Sequence, residues 1–299
     1  MKKILIFVLL FFCASGLYAE GMGTTGGQFL KIGVGAKPMA SGGAFGTISD
    51  DANALYFNPA GIGKVDGLEI LTTGGLWFQN IYYGYLGVVK SMPGINSSIG
   101  FSALYLGVDD IPGYDDTGNP IDSHNAIDMG IGVTYALNLG DNLSLGITGK
   151  YINESLETFT ATAFDMDIGL RFAMGSNMIL GCAVQNLLQS EVKFISEGYP
   201  LARNIRAGIG YRLNTVMLGM DVTSGSDSGT DLRFGGEYVY NNIVFLRAGY
   251  NMPVGEDLDF FSGICAGGGL SFEKILFDYA FVPYGELGLT HRFSLTLKL

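Results

Sequence analysis

Apolar and polar residues alternate along most of the chain beyond residue 67. The last segment shows this clearly, with one face made of Leu287, Leu289, Phe293, Leu295, Leu297 and Leu299. Gly, Thr, Arg, Ser and Lys residues occupy positions between them. The same two-residue period recurs in residues 127–137, 164–172 and 205–213. Successive side chains of a β-strand point to opposite faces, so this period predicts strands with one apolar and one polar face.

Fourteen such segments can be placed along the chain. They are residues 67–78, 79–90, 95–107, 125–138, 143–153, 161–174, 177–188, 201–213, 215–223, 230–240, 242–251, 259–272, 274–283 and 287–299. Each is long enough to cross a bilayer at a tilt, and bacterial outer-membrane barrels have an even number of strands. The predicted fold class is therefore all-β, a membrane β-barrel of about 14 antiparallel strands. A two-sheet sandwich with an apolar interior is the alternative that fits the same alternation.

The connections between these segments alternate in length. Residues 91–94, 139–142 and 175–176 form short turns, whereas residues 108–125, 154–160 and 189–200 are predicted to form longer polar loops. In outer-membrane barrels the short turns face the periplasm and the long loops face outside. The alternation therefore predicts that the first strand begins at the periplasmic end.

Composition distinguishes the chain from ordinary soluble domains. Only 15% of its 299 residues are charged, 46 are Gly, and the mean hydropathy is +0.31. Soluble domains carry about 25% charged residues. The formal net charge of −11 argues against a nucleic-acid partner. Cys182 and Cys265 lie in separate strand-like segments, and we expect them to be buried free thiols rather than a disulfide.

Residues 1–19 have the features of a secretory signal peptide. A basic start precedes a short apolar run, and small residues lead to Ala19, after which cleavage is predicted. Cys13 would suggest a lipoprotein, but Phe12 stands where a small residue is needed. Beyond this segment no uncharged apolar run approaches the roughly 20 residues of a membrane helix. Together with the strand pattern, the signal predicts export to the outer membrane of a diderm bacterium.

Residues 35–63 do not follow the strand pattern. They are rich in Gly and Ala, and a short helix over residues 52–56 is expected, capped by Asp50 or Asp51. Pro59 lacks a backbone donor, so this helix should end by Asn58. The compact, small-residue composition predicts a plug inside the barrel. We assign residues 20–66 to this N-terminal hatch and residues 67–299 to the transmembrane barrel.

Part of this segment carries a recognisable motif. A small-residue run ends in Gly42-Gly43-Ala44-Phe45, and residues 50–61 read D-D-A-N-A-L-Y-F-N-P-A-G. The motif resembles the N-terminal signature of FadL-type outer-membrane transporters and of the related PorV/PorQ group. The closing strand also resembles a PorV-type last strand, although it ends in Leu299 where Phe is commoner.

The resemblance implies a barrel with a hatch in its lumen. FadL relatives take up hydrophobic molecules such as long-chain fatty acids, which pass after the hatch rearranges. PorV relatives instead serve a secretion or surface-attachment system, as a structural or shuttle component. The motif does not separate these roles. Uptake is favoured, with outer-membrane lipid and an apolar ligand as partners, because the hatch and the small size resemble FadL relatives and no extra domain suggests a docking surface for a secretion partner.

Candidate functional residues of the hatch form two groups. Phe45, Leu55, Tyr56 and Phe57 are predicted either to line an apolar ligand pocket or to form the packing core of the plug. A second group is expected either to gate the channel or to cap a helix and tie the plug to the wall. It comprises Gly42, Gly43, Asp50, Asp51, Asn53, Asn58, Pro59 and Ala60.

Charged residues of the strands fall on the polar faces. The cations are Lys150, Arg171, Arg206, Arg212, Arg233, Arg247 and Arg292, and the acids are Asp128, Asp165, Asp167, Asp231, Glu237 and Asp278. A charge facing lipid near mid-membrane costs about 2–4 kcal/mol, so these side chains should point into the lumen. Most are expected to pair with one another, although one arginine would suit a substrate carboxylate.

Motifs for catalysis, cofactors or metals are weak. Residues 21–26 match G-x-G-x-x-G, but no strand precedes them and no helix follows, so a flexible tail is expected instead. His124 is predicted in a loop and His291 on the lipid-facing register, and no Ser–His–acid grouping is visible. The acidic residues within 109–119 lack the spacing of a calcium loop. The sequence therefore predicts a non-enzymatic protein without a cofactor or metal.

Overall fold

The computed structural model describes residues 21, 23–78, 81–254 and 260–299. The predicted signal peptide, residues 1–19, lies outside the described residues, as do parts of the predicted strands at residues 79–80 and 259. In the described ranges, none of the helices is long and apolar enough to span a membrane.

β-Strands dominate the described chain. They are β1 Leu68–Leu76, β2 Tyr82–Met92, β3 Ser97–Tyr114, β4 Pro120–Leu139, β5 Leu143–Leu156, β6 Phe159–Met174, β7 Met178–Gln185, β8 Glu191–Lys193, β9 Gly198–Pro200, β10 Asn204–Leu213, β11 Val216–Gly225, β12 Thr230–Tyr240, β13 Val244–Pro253, β14 Ile264–Phe272, β15 Ile275–Pro283 and β16 Leu289–Lys298. The helices are α1 Ala36–Ala40 and α2 Ala54–Phe57, with 3-10 turns at Gln28–Lys31, Pro59–Lys64, Pro93–Ile95, Phe260–Gly263 and Gly285–Leu287.

Fourteen of the described strands close into one antiparallel barrel. Each strand pairs with its neighbour in the chain, β7 pairs with β10, and β1 closes the ring against β16. The short strands β8 and β9 pair only with each other, in the β7–β10 connection. A closed ring has no free edge strand, which is how a sheet satisfies its backbone groups in lipid. The predicted fold class is confirmed, and the sandwich alternative is wrong.

The two faces of the wall differ as the alternation predicted. On β16, Leu289 and Phe293 are 56% and 47% exposed, whereas Arg292 and Ser294 are each 2% exposed. The apolar face therefore points outward, and the polar face points into the bore. Cys265 is buried as expected, but Cys182 is only half-buried because it lies on the outward face of β7; both are free thiols.

The first of the three predicted long loops is mostly strand. β3 continues to Tyr114 and β4 begins at Pro120, so the prediction of a loop over residues 108–125 is wrong. A register shift near Asp110, which has φ 57°, interrupts this hairpin but does not end it. Polar residues on both faces hid the strand period, while backbone pairing does not require apolar side chains. His124 consequently lies on β4, paired with Ile111, and not in a loop.

The other two long connections also differ from prediction. β5 runs to Leu156 and β6 begins at Phe159, so the connection predicted at residues 154–160 is a tight turn. Glu157 adopts φ 55° in that turn. The connection predicted at residues 189–200 contains the β8–β9 hairpin. The connections predicted to be short are short: residues 93–96, 140–142 and 175–177 join strands at one end of the barrel.

Candidate functional site

The segment of residues 36–63 lies within the barrel. It contacts all fourteen strands of the ring, through side chains, hydrogen bonds or inward-facing glycines. Its members Ala36, Ala54, Phe57 and Ala60 are 0% exposed. A segment that touches every strand of a closed ring must occupy the bore. We refer to residues 36–63 as the bore segment.

The bore segment packs against inward-facing glycines of the wall, and we call these glycines the seat. A Cβ atom at Gly146 on β5 would lie 2.3 Å from backbone atoms of Pro59 and Ala60. A Cβ at Gly249 on β13 would lie 2.1 Å from the carbonyl carbon of Ser41. Such distances leave no space for a side chain. Comparable close approaches occur at Gly100, Gly169, Gly181, Gly208, Gly219, Gly235 and Gly267.

Wall side chains accept hydrogen bonds from backbone N–H groups of the bore segment and so attach it to the wall. Asp221 on β11 accepts from the N–H of Thr47 at 2.9 Å, and Glu69 on β1 accepts from the N–H of Ala52 at 2.7 Å. Ser294 on β16 accepts from the N–H of Ala36 at 2.8 Å. These wall side chains supply partners for buried donors that irregular backbone leaves unpaired.

The helix predicted near Asp51 is present but displaced. It spans Ala54–Phe57, with Asn53 as its N-cap residue, and not residues 52–56. Asp51 is not the N-cap residue of this helix. Its carboxylate nevertheless accepts a hydrogen bond of 3.0 Å from the backbone N–H of Asn53. Asn58 is extended, with φ −157°, so the helix ends where Pro59 was expected to stop it. The Asn58 side chain then accepts from the N–H of Ala60 and donates to Leu170 O on β6.

Ion pairs add to these attachments. Lys37 and Asp51 pair at 2.7 Å inside the bore segment, and both side chains are mostly buried. Burial alone would raise the pKa of Asp51, but the Lys37 ammonium outweighs it and lowers that pKa to about 2. Asp50 lies 3.6 Å from Arg171 and 3.4 Å from Arg212, which links the segment to β6 and β10. The polar motif residues thus bind the segment to itself and to the wall.

The apolar motif residues occupy different environments. Phe45 lies over Gly219. The guanidinium carbon Cζ of Arg206 lies over the ring of Phe57, 5.3 Å from the ring centre. Leu55 fills the space between Gly87 and Gly100. Tyr56 is half-buried, and its hydroxyl donates to Leu30 O at 2.8 Å. Leu55 and Tyr56 line a cavity of about 50 Å³, whereas Phe45 and Phe57 are packed inside the segment.

Residues 25–31, which we call the strap, cross the barrel beside this cavity. Asp227, in the β11–β12 connection, accepts hydrogen bonds from Thr25, Gln28 and Lys31. Further bonds of the strap backbone run from Gly26 N to Pro200 O and from Gly27 N to Glu154, with lengths of 3.0 and 2.8 Å. The strap is therefore not an unattached tail, because acceptors in the loops and the wall bind its backbone and side chains.

Cavities lie on both sides of the bore segment. One of about 260 Å³, which we call the bore cavity, is lined by residues of the strap, β10, β12 and the β15–β16 hairpin. Another, of about 350 Å³, lies at the end of the barrel with the short turns and is lined by Arg212, Glu237 and the 241–242 turn. The 50 Å³ cavity beside Tyr56 holds only a few water molecules, since one water needs about 10–15 Å³. Among the described residues, this cavity is therefore much narrower than the cavities at the two ends.

Buried cations face the bore cavity. Arg206 is 3% exposed and donates through Nε to Gln185 Oε1 at 2.8 Å, whereas its Nη1 has no hydrogen-bond partner among the residues that the structure describes. Arg233 also lines the cavity but is paired with Asp231 at 2.9 Å. Lys31 lines it as well and is paired with Asp227 at 2.8 Å. Arg206 is thus a buried guanidinium with spare donor capacity at the edge of an open space.

The remaining lumen charges are arranged as the alternation predicted. Lys150 pairs with Asp167 at 2.6 Å, and Arg247 bridges Glu237 at 2.7 Å and Asp278 at 2.6 Å. Asp128 stands opposite Glu154 in the β4–β5 register. The prediction that most of these residues point inward and pair is confirmed.

The two histidines lie apart from the bore cavity. His124 is 3.3 Å from Glu157, near the β5–β6 turn. His291 faces outward on β16 and shares a hydrogen bond of 2.8 Å with the hydroxyl of Tyr279. Within the described ranges, no group of three or more His, Cys, Asp or Glu side chains is arranged to hold a metal ion.

At the β3–β4 turn, Asp115 accepts from Thr117 and Asn119, and these bonds lower its pKa to about 2.

Comparison with known proteins identifies the fold. The CymD monoaromatic hydrocarbon channel superposes with a TM-score of 0.66 at 13% identity, over 90% of this chain and 98% of that one. The toluene transporter TodX of Pseudomonas putida gives 0.59 at 15% identity, over 88% and 96%. A FadL homologue of Pseudomonas aeruginosa gives 0.55 at 12% identity, over 86% and 96%. No family model and no curated protein matches the chain by sequence. At these identities, the similarity to the solved channels establishes a common barrel fold.

Proposed function

We propose that this chain is an outer-membrane channel that admits hydrophobic small molecules and that residues 20–66 are its hatch. The observation that carries the proposal is the bore segment, which contacts every strand and separates cavities at the two ends of the barrel. The bore cavity is also lined by Arg206, whose Nη1 has no hydrogen-bond partner among the described residues, and this supports ligand binding in addition to plugging. The common fold with channels whose names specify hydrocarbons and toluene supports the same function.

The outward face of the wall supports a membrane location. Large apolar side chains point outward, among them Phe164, 69% exposed, and Leu246, 57% exposed. Such a surface is costly in water and suits lipid. Taken with the predicted signal peptide, it supports the outer membrane of a diderm bacterium as the location.

Long-chain fatty acids are the substrates that we propose. Arg206 at the bore cavity would bind the carboxylate, because a guanidinium forms strong charge-assisted hydrogen bonds with it. The acyl chain would gain about 0.8 kcal/mol per buried CH₂ against apolar residues such as Met39 and Val282. A bore cavity of about 260 Å³ is slightly below the about 300–1,000 Å³ of ligand pockets. Movement of the hatch, with Leu55 and Tyr56 at the narrow cavity, would supply the remaining space.

The test compares labelled oleate with its uncharged methyl ester, in wild-type protein and in Arg206→Gln. We expect saturable oleate binding that weakens about 10-fold or more in Arg206→Gln, since a hydrogen bond to a charged group contributes about 1.5–3 kcal/mol. Binding of the methyl ester should change little. Arg203→Gln, at an exposed arginine three positions earlier, is the matched control. Absence of saturable binding of both ligands to the wild-type protein would contradict the proposed function.

A PorV-like role is the second candidate. The β8–β9 hairpin exposes Ile195 at 74% and Tyr199 at 47%, beside Leu188 at 59%. These apolar side chains lie outside the closed sheet, where a secretion partner would find them. Co-purification of a large secreted protein that is lost in Ile195→Asp, with oleate binding absent throughout, would favour this role over uptake.

A further inference from the structure

Two wall arginines share one carboxylate of the bore segment at the end of the barrel with the short turns. Nη2 of Arg171 on β6 lies 3.6 Å from Asp50 Oδ2, and Nη2 of Arg212 on β10 lies 3.4 Å from the same oxygen. The two arginines flank β7, since β7 pairs with both β6 and β10. Two guanidinium ions and one carboxylate leave this group with an excess of positive charge. We call Arg171 and Arg212 the arginine pair.

Arg171 depends on the bore segment for its polar contacts. Its side chain is 6% exposed, and its Nε donates to Ile48 O at 3.4 Å. Among the described residues, this carbonyl and the Asp50 carboxylate are the acceptors that its guanidinium contacts, and both belong to the bore segment. A buried charge that loses its partners is costly. Movement of the bore segment away from β6 would therefore leave Arg171 in need of a new acceptor.

The cavity at the same end of the barrel adjoins the arginine pair. Its volume of about 350 Å³ falls within the about 300–1,000 Å³ of ligand pockets. Arg212 lines it, and its apolar lining comprises Val216, Met217, Val239 and Phe245. Glu237 also lines it but is already paired with Arg247 at 2.7 Å. A guanidinium beside an apolar wall suits a ligand with a carboxylate head and an apolar chain.

We propose that the arginine pair is a second carboxylate site, which receives the substrate at this end of the barrel, and that Asp50 occupies the site until the bore segment moves. The substrate carboxylate then replaces Asp50 as the acceptor of the two guanidinium groups. Because it binds them only after Asp50 has left, it favours the moved position of the segment. Arg206 lines the bore cavity on the other side of the segment, so the two cationic sites accept the carboxylate in turn. This inference rests on the proposed uptake of long-chain fatty acids and adds the residues that receive them beyond the bore segment.

Uptake of a charged and an uncharged ligand tests the inference. Labelled oleate and its methyl ester are supplied to proteoliposomes at saturating concentrations, so that the rates do not depend on affinity at the bore cavity. In the double variant Arg171→Gln with Arg212→Gln, we expect the saturated rate of oleate uptake to fall at least 10-fold, because the carboxylate finds no charged donors beyond the bore segment. The rate for the methyl ester should not fall. Oleate binding at the bore cavity should keep its affinity, since Arg206 is unchanged.

The matched control removes a cation elsewhere at the same end of the barrel. Lys274 is exposed in the β14–β15 turn, and Lys274→Gln should leave both uptake rates unchanged. An oleate rate in the double variant equal to that of the wild-type protein would overturn the inference. An equal proportional loss of both ligands would overturn it as well, because it would show that the arginine pair only supports the structure. Absence of saturable uptake of either ligand by the wild-type protein would instead contradict the proposed function itself, and the inference with it.

A second measurement removes the carboxylate that occupies the site. Asp50→Asn leaves the arginine pair without its anionic partner, while Arg206 and the bore cavity are unchanged. We expect this variant to bind one more oleate per chain at saturation than the wild-type protein binds. Addition of Arg212→Gln to Asp50→Asn should abolish the extra binding. Equal numbers of bound oleate molecules in the wild-type protein and Asp50→Asn would overturn the inference.

Discussion

The carboxylate of Asp221, in the middle of β11, accepts a hydrogen bond of 2.9 Å from the backbone N–H of Thr47. It accepts a second bond from the Thr47 hydroxyl. Both residues are 0% exposed. One wall side chain thus holds two donors of the bore segment at a point enclosed by the glycines of β7 and β10. The position of the segment depends on such specific polar contacts as well as on packing.

Removing the Thr47 hydroxyl should weaken this contact while the bore segment keeps its position in the barrel. Thr47→Val keeps the backbone bond and the shape of the side chain but removes one donor to Asp221. We expect a loss of about 0.5–1.5 kcal/mol in the attachment of the segment, as for a typical hydrogen bond. Limited proteolysis within residues 41–49 should be correspondingly faster than in the wild-type protein. Identical cleavage rates would show that the hydroxyl does not secure the segment.

A methyl group on the seat should displace the segment. In Gly146→Ala, the new Cβ would meet the backbone of Pro59 and Ala60 at 2.3 Å, and overpacking of this kind costs about 1–3 kcal/mol. Gly149→Ala, on the same strand, meets nothing within 4 Å. We expect a lower thermal unfolding temperature for Gly146→Ala and little change for Gly149→Ala. Equal unfolding temperatures for the two variants would argue against a tightly fitted segment.

The strap should open only in strong acid. Burial alone would raise the pKa of Asp227, but hydrogen bonds from Lys31, Thr25 and Gln28 outweigh it and hold that pKa below its ordinary value. Because the folded-state pKa is depressed, these contacts stabilise the strap above the unfolded-state pKa of about 3.9. They are lost as pH falls through the folded-state pKa. The hydrogen-exchange protection factors of residues 25–31 should therefore be constant between about pH 5 and neutrality.

The variant Asp227→Asn reproduces the uncharged state at neutral pH. Hydrogen exchange of residues 25–31 should then become faster, because Lys31 loses its ionic partner. Asp116→Asn, at the exposed β3–β4 turn, is the control and should leave exchange in the strap unchanged. Equal protection of the strap in the wild-type protein and Asp227→Asn would contradict the role assigned to this contact.

Breaking the buried ion pair of the bore segment should be more costly than removing one neutral hydrogen bond. Lys37→Met leaves the Asp51 carboxylate without its partner, and removal of one member of a buried pair costs about 3–5 kcal/mol. The double change Lys37→Met with Asp51→Leu removes both charges and should recover much of that loss. Thermal unfolding of the two variants measures the difference, and equal unfolding temperatures would show that the pair is not a stabilising unit.

Much of the barrel could be predicted because its wall repeats one simple rule. The strands with an apolar outward face, such as β16, show the two-residue period directly, and inward charges such as Arg247 follow from the cost of exposing them to lipid. The extension of β3 and β4 beyond residues 107 and 125 could not be predicted in this way. There the hairpin has polar residues on both faces, so side-chain periodicity carries no signal.

The site was less predictable because it depends on contacts between distant parts of the chain. The motif indicated that residues 35–63 form a compact unit, but the sequence did not show that Phe57 would pack beneath Arg206. Glycines such as Gly146 and Gly181 were visible on the polar register of the strands, and their alignment around the bore was the signal for the seat. The hatch boundaries at residues 20–66 remain a prediction.

The most direct test of the account is the rate of oleate uptake when the bore segment is locked to the wall. Cysteines at both Thr47 and Asp221, whose side chains touch, would form a disulfide between the segment and β11 on oxidation. If substrate passes only when the segment leaves its seat, the oxidised protein should lose uptake and the same protein should regain it on reduction. Uptake at the same rate in the oxidised and reduced forms would contradict the central claim that the segment gates the channel.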